Sequence, residues 1–133
     1  MRSAAIRLTL LALIGLSVAA CMPRLVPPGA EFLGKREVSF AVEHDALIFP
    51  AGTKPIRKLV LVVRLNDVDI RGLRIAFENG DDYEIDYRGI FIANRDSQVF
   101  DLPGAARRIR RIDFLYKRTG RTMYRAEIEF WGL

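Results

Sequence analysis

The chain has 133 residues, of which 50% are hydrophobic and 28% charged, and a formal net charge of +5. It holds one cysteine and one histidine. One cysteine excludes an internal disulfide, and one histidine leaves too few ligands of the usual kinds for a zinc site.

Read in chain order, the first element is a targeting segment. It opens on a basic stretch with Arg2 and Arg7, continues through an apolar run from Leu8 to Ala20 and closes on Val18-Ala19-Ala20-Cys21. The run is shorter than the roughly 20 residues a spanning helix needs, and suits the apolar core of a secretory signal. Small residues before a cysteine resemble a bacterial lipobox. That resemblance implies cleavage before Cys21, a diacylglyceryl thioether on its sulfur and an acylated new N-terminus. Several acyl chains on one residue hold a protein on a membrane, where a single chain holds it only marginally. The alternative is an ordinary secretory signal with an incidental cysteine. Removing residues 1–20 takes Arg2 and Arg7 with it, so 21 basic residues become 19 against 16 acidic, and +5 becomes +3. The remaining chain is one domain by length and large enough to fold on core burial alone.

Residues 21–34 hold three prolines and two glycines and are read as a tether; residues 35–133 are the domain. In the domain the apolar period is two. Val38, Phe40 and Val42 alternate with polar or small residues, and a short segment over 46–49 ends at Pro50-Ala51-Gly52. Leu59, Leu61, Val63 and Leu65 line one face of the next strand while Val60 and Val62 lie on the other, as in a central strand covered on both sides. Val68 and Ile70 share a face that Leu73, Ile75 and Phe77 continue after a one-residue slip at Gly72, the pattern of a β-bulge. Asn79-Gly80 is a hairpin signal. Further strands are expected at 83–87, 89–93, 98–102, 111–117 and 124–130, with at most one helical turn at 105–108. Seven to nine strands with turn signals every eight to twelve residues predict an all-β fold, a single antiparallel β-sandwich, jelly-roll-like or a related barrel.

Catalytic patterns are sparse. His44 lies between Glu43 and Asp45 and reads as a solvated turn; neither Ser39 nor Ser97 sits in a nucleophile elbow. Asp81, Asp82, Glu84 and Asp86 cluster after the Asn79-Gly80 turn, without the spacing of an EF-hand-like calcium loop. The basic residues are distributed more tellingly. Residues 22–101 hold 11 basic and 13 acidic side chains, and residues 102–133 hold 8 and 3. Arg107, Arg108, Arg110, Arg111, Lys117, Arg118, Arg121 and Arg125 are therefore the candidate anion-binding surface, joined into one patch if the last two strands pair as a hairpin. The alternative is that they pair with Glu127, Glu129 and the acidic turn across neighbouring strands. Trp131 is the candidate exposed aromatic contact.

Asn79-Gly80, Asp101 to Gly104, Arg108 to Ile112, Tyr116-Lys117 and Trp131-Gly132 occur in an order that resembles a family of uncharacterised bacterial exported β-sandwich proteins, known only as a domain of unknown function. The resemblance spans about residues 33–133 and implies an all-β fold and export, with no activity attached. The expectation is a lipid-anchored envelope protein, on the outer membrane and facing the periplasm because Met22 rather than Asp follows the cysteine. It is read as a non-catalytic binding or structural module with no cofactor and no metal. Its expected contacts are the membrane, through the lipid on Cys21, and an anionic glycan, lipid headgroup or envelope protein. Export argues against nucleic acid, and most rings alternate inward rather than forming a stacking platform. The alternative is an envelope enzyme acting on cell-wall glycan through the Asp81–Asp86 carboxylates. The sequence sets no oligomeric state.

Overall fold

The structure, a computed structural model, describes residues 25–38, 43–118 and 125–133. Phe40, Val42 and Tyr124, expected on strand faces, lie outside the described residues. Nine strands are present among the described residues: β1 (Glu31–Val38), β2 (Glu43–Ile48), β3 (Lys58–Arg64), β4 (Val68–Phe77), β5 (Asp82–Ile85), β6 (Gly89–Phe91), β7 (Ser97–Asp101), β8 (Ile109–Arg118) and β9 (Ala126–Gly132). They form two antiparallel sheets, ordered β1-β9-β3-β7 and β2-β8-β4-β5, with β6 also paired to β4. The sheets face one another as an open sandwich, so the closed-barrel variant of the expected fold does not apply.

The period-two pattern translates directly into burial. In β9, Ala126, Ile128, Phe130 and Gly132 are buried, while Glu127, Glu129 and Trp131 are half-buried on the outer face. In β3 the five residues Leu59 to Val63 are all buried, as expected of a strand flanked by β9 and β7 and covered on both faces. The sheets meet through aromatic rings. Phe114 of β8 packs on Phe130 of β9 at 5.2 Å between centroids and stacks on Tyr116 at 5.6 Å. Burying one such side chain stabilises the fold by roughly 1.5–3 kcal/mol, so this seam is a major part of what holds the two sheets together.

The slip at Gly72 is a bulge. The β4–β8 register moves between Ile70 and Gly72, which keeps Ile70, Leu73, Ile75 and Phe77 all on the core side. A second irregularity between Ala76 and Phe77 adds Arg110 to β8, and a third adds Leu33 to β1. At the Asn79-Gly80 turn, Gly80 has φ 92°, a left-handed backbone that strains any residue with a Cβ. Gly132 is required for space instead: a Cβ there would lie 2.6 Å from the Ile56 side chain. The open side of the sandwich, between edge strands β1 and β2, is closed by charge. Arg36 donates to Ala46 O at 3.1 Å and lies 3.8 Å from Asp45. A charged side chain on an edge strand discourages pairing with another chain.

Several features differ from the sequence reading. Leu65, expected on the same face as Leu59, Leu61 and Val63, lies beyond the end of β3 at an exposed turn. The expected helical turn at 105–108 is absent, because Arg107 N–H donates to Ile56 O at 3.0 Å and Ile56 N–H to Arg107 O at 2.9 Å; these bonds to a neighbouring segment replace those of a turn. β1 opens at Glu31, inside the stretch read as tether, and Leu25, Val26 and Pro27 before it are half-buried. Most consequentially, β8 and β9 belong to different sheets, so the last two strands do not form a hairpin.

The register defines two ends of the sandwich. One, the Leu65 end, gathers the β3–β4 turn, the β6–β7 loop and the start of β9; Asp67 accepts the Ala93 N–H at 2.8 Å, Asn94 N–H donates to Val63 O at 2.9 Å, and Asn66 Nδ2 donates to Arg125 O at 3.1 Å. The other, the Arg107 end, gathers the segments at 49–57, 78–81 and 102–108.

Candidate functional site

The eight predicted cations do not form one patch. Arg107, Arg108, Arg110 and Arg111 sit toward the Arg107 end; Lys117 and Arg125 sit toward the Leu65 end. The six steps of β8 from Arg111 to Lys117 separate the groups by ~20 Å at 3.4 Å per residue. Arg121 and the side chain of Arg118 lie outside the described residues. So does the candidate lipidation residue, Cys21.

At the Arg107 end, two of the four arginines are held by the fold. The Arg107 guanidinium lies 3.8 Å from the centroid of the Phe77 ring, donates to Pro103 O at 2.6 Å and reaches Asp81 at 3.4 Å. Its Nε is buried without an acceptor. Arg111 donates twice to Asp113, at 2.8 and 2.6 Å, and His44 approaches the same carboxylate at 3.4 Å. The hydrogen bond from Arg111 holds the Asp113 carboxyl below its usual range, and the same bond raises Arg111. Arg108 and Arg110 differ. Both are exposed, and neither meets a carboxylate among the described residues. Their backbone carbonyls are engaged, by Glu78 N–H and Phe49 N–H respectively, which fixes the strand while leaving the side chains in solvent.

At the Leu65 end, Arg125 pairs with Glu37 at 2.9 Å across exposed surface. Such a pair contributes little and breaks easily in competition. Lys117 is exposed and meets no carboxylate among the described residues. It stands with Arg71, Arg88 and Leu115 around a groove on the outer face of the second sheet. Arg88 and Arg95, also exposed and without ion pairs among the described residues, were hidden in the sequence by the net negative balance of residues 22–101. No local run marks them; only the fold brings them beside Lys117 and the β3–β4 turn.

Trp131 is half-buried on the outer face of the first sheet. Its ring meets Phe32 edge-on at 5.1 Å and its Nε1 donates to Glu129 at 3.1 Å, so both its ring and its polar atom are engaged within the chain. His44 lies in β2 rather than in a turn, and its side chain is exposed. Asp81 and Asp82 are tied to Arg107 and Arg74; Glu84 and Asp86 are exposed. Among the described residues no three His, Cys, Asp or Glu side chains gather as metal ligands would.

The model of one family, a domain of unknown function (DUF2541), matches residues 7–132 and so takes in all nine strands. No curated protein and no solved structure matches the chain.

Proposed function

The chain belongs to the DUF2541 family, and from that premise and the geometry above we propose a lipid-anchored envelope protein that binds an anionic partner without catalysis. The lipid is carried on Cys21, and the domain faces the periplasm from the outer membrane. The observation that carries the binding reading is the set of exposed cations without an acid partner among the described residues, with Arg108 and Arg110 at one end and Lys117 at the other. A solvated arginine beside a carboxylate is already satisfied. One without such a partner adds to the field that attracts phosphate, lipid headgroups or acidic glycans.

The competing reading, glycan cleavage through surface carboxylates, has less support: Asp81 and Asp82 already pair with arginines. The test is expression of the full chain in a Gram-negative host with labelled palmitate. The label and membrane retention should both disappear with Cys21→Ser. The purified protein should leave peptidoglycan intact; any turnover that Asp82→Asn or Glu84→Gln abolishes would overturn the non-catalytic reading.

A further inference from the structure

We infer that the Leu65 end is the face the domain lays on the bilayer that carries its own anchor, with three exposed aliphatic side chains at the headgroup boundary and three cations on anionic phospholipid phosphates. The inference rests on the anchored reading of Cys21 and adds the orientation of the domain, its contact residues and its ligand chemistry.

Chain length supplies the first argument. Leu25 is the first described residue, and it lines a cleft of ≈ 410 Å³ with Ile90, Arg95 and Ser97, on the β6–β7 side of the Leu65 end. Three residues lie between it and Cys21, and four steps of fully extended chain reach at most ~14 Å. A lipid on Cys21 therefore keeps the cleft around Leu25, Ile90 and Arg95 within that distance of the membrane. Ile48 lies toward the opposite end of the second sheet, where it pairs with Arg111.

Surface chemistry supplies the second. Leu65 is 61% exposed, Ile90 57% and Ile92 36%. The contacts Asp67–Ala93 and Asn94–Val63 bring the Leu65 turn and the Ile92 loop together. Ile90 and Lys117 flank Asp69 in register on the same sheet. Arg95 lines the cleft of Leu25 and Ile90, and Lys117 and Arg88 share the groove on the outer face of the same sheet; all three are exposed and without an ion pair among the described residues. Of the acids nearby, Asp69 pairs with Arg71, Asp67 and Asp96 accept the Ala93 and Ile92 N–H, the latter at 3.0 Å, and Glu84 and Asp86 stand exposed beside Arg88. Aliphatic side chains beside snorkelling cations suit the boundary between headgroups and acyl chains.

Backbone strain supplies the third. Asn66 N–H donates to Arg64 O at 2.9 Å, and Leu65 between them has φ 71°. This is a γ-turn of positive φ, the rare and strained form. A leucine 61% exposed recovers little of that strain through burial. Strain of this kind concentrates where a side chain must be presented.

The experiment uses the matured, lipid-bearing protein in nanodiscs of phosphatidylglycerol and phosphatidylcholine. Cys21 is blocked by its lipid, so Leu65→Cys, Ile90→Cys and Ile48→Cys each introduce a single free thiol for a fluorescent label. Nitroxide groups at headgroup depth should quench the labels at positions 65 and 90 and leave the label at 48 bright. Equal quenching at all three positions, or quenching at none, overturns the proposal while leaving the palmitate result on the anchor untouched. If Cys21 carries no lipid, the anchored reading falls, and the face is judged separately by the affinity of the full chain for phosphatidylglycerol vesicles. With each cation near an anionic surface contributing about 1 kcal/mol, the triple change Arg88→Gln, Arg95→Gln, Lys117→Gln should weaken it about a hundredfold; a change under about threefold would sink the proposal.

Discussion

At one end of the sandwich Arg107 lies over Phe77, donates to Pro103 O and reaches Asp81; at the other, Arg88, Arg95 and Lys117 stand in solvent beside Leu65, Ile90 and Ile92. The first end turns a cation into a structural part, since its flat guanidinium covers an aromatic ring and fills three partners at once. The second exposes aliphatic side chains and leaves its cations without an ion pair among the described residues. The contrast shows that a basic count in a sequence says nothing of use until each side chain's neighbours are known. It also separates two kinds of mutation, those that unfold the protein and those that leave it folded but alter what its surface meets.

The largest effect should come from the ring beneath Arg107. Phe77 is 1% exposed, and Phe77→Ala should destabilise the protein by about 3–5 kcal/mol in urea unfolding, through lost burial and the cavity left behind. Next, Arg107→Ala should lower stability by about 1–3 kcal/mol, because the ring contact is lost and Pro103 O and Asp81 lose a donor. Arg95→Ala, at the other end, should move stability by less than about 0.5 kcal/mol. Similar costs for the two arginines would erase the distinction between the ends. In the opposite direction, Leu65→Gly should stabilise by about 0.5 kcal/mol, since relief of a positive φ exceeds the entropy glycine adds to the unfolded chain. A loss there would mean that Leu65 is held by contacts its exposure does not suggest.

The smallest effect is a dependence on pH. Asp113 has its carboxyl lowered on folding, chiefly by the hydrogen bond from Arg111. A group with a depressed folded pKa adds stability above its unfolded pKa and loses it as pH falls through the folded value. Unfolding midpoints measured from neutral pH downward should therefore fall through and below the ordinary carboxylate range, and Asp113→Asn should flatten part of that fall. Both partners are accessible to solvent, so the change in slope should shrink in salt.

Much of the fold was legible before any coordinates. Val68, Ile70, Leu73, Ile75 and Phe77 placed both a strand and its bulge, because a one-residue slip in a period-two pattern can keep one face buried only if an extra residue is inserted. Asn79-Gly80 announced a turn that Gly80 makes at φ 92°. The candidate site was far less legible. Eight cations within 19 residues looked like one surface, yet β8 separates them along its length and its successor crosses to the other sheet. Arg88 and Arg95 carried no signal, since an acidic balance averaged over residues 22–101 conceals two cations that the fold leaves exposed and without an ion pair among the described residues.

By itself the sequence determined the alternation of apolar and polar residues, hence the strands, their buried faces and their turns, because side-chain direction in a strand depends only on neighbours one or two positions away. Tertiary structure decided which strands pair, and with them which arginines meet an acid, an aromatic ring or only water. Those outcomes depend on residues far apart in the chain: Arg107 is set against Phe77 and Arg125 against Glu37 by sheet order, and no local pattern encodes it.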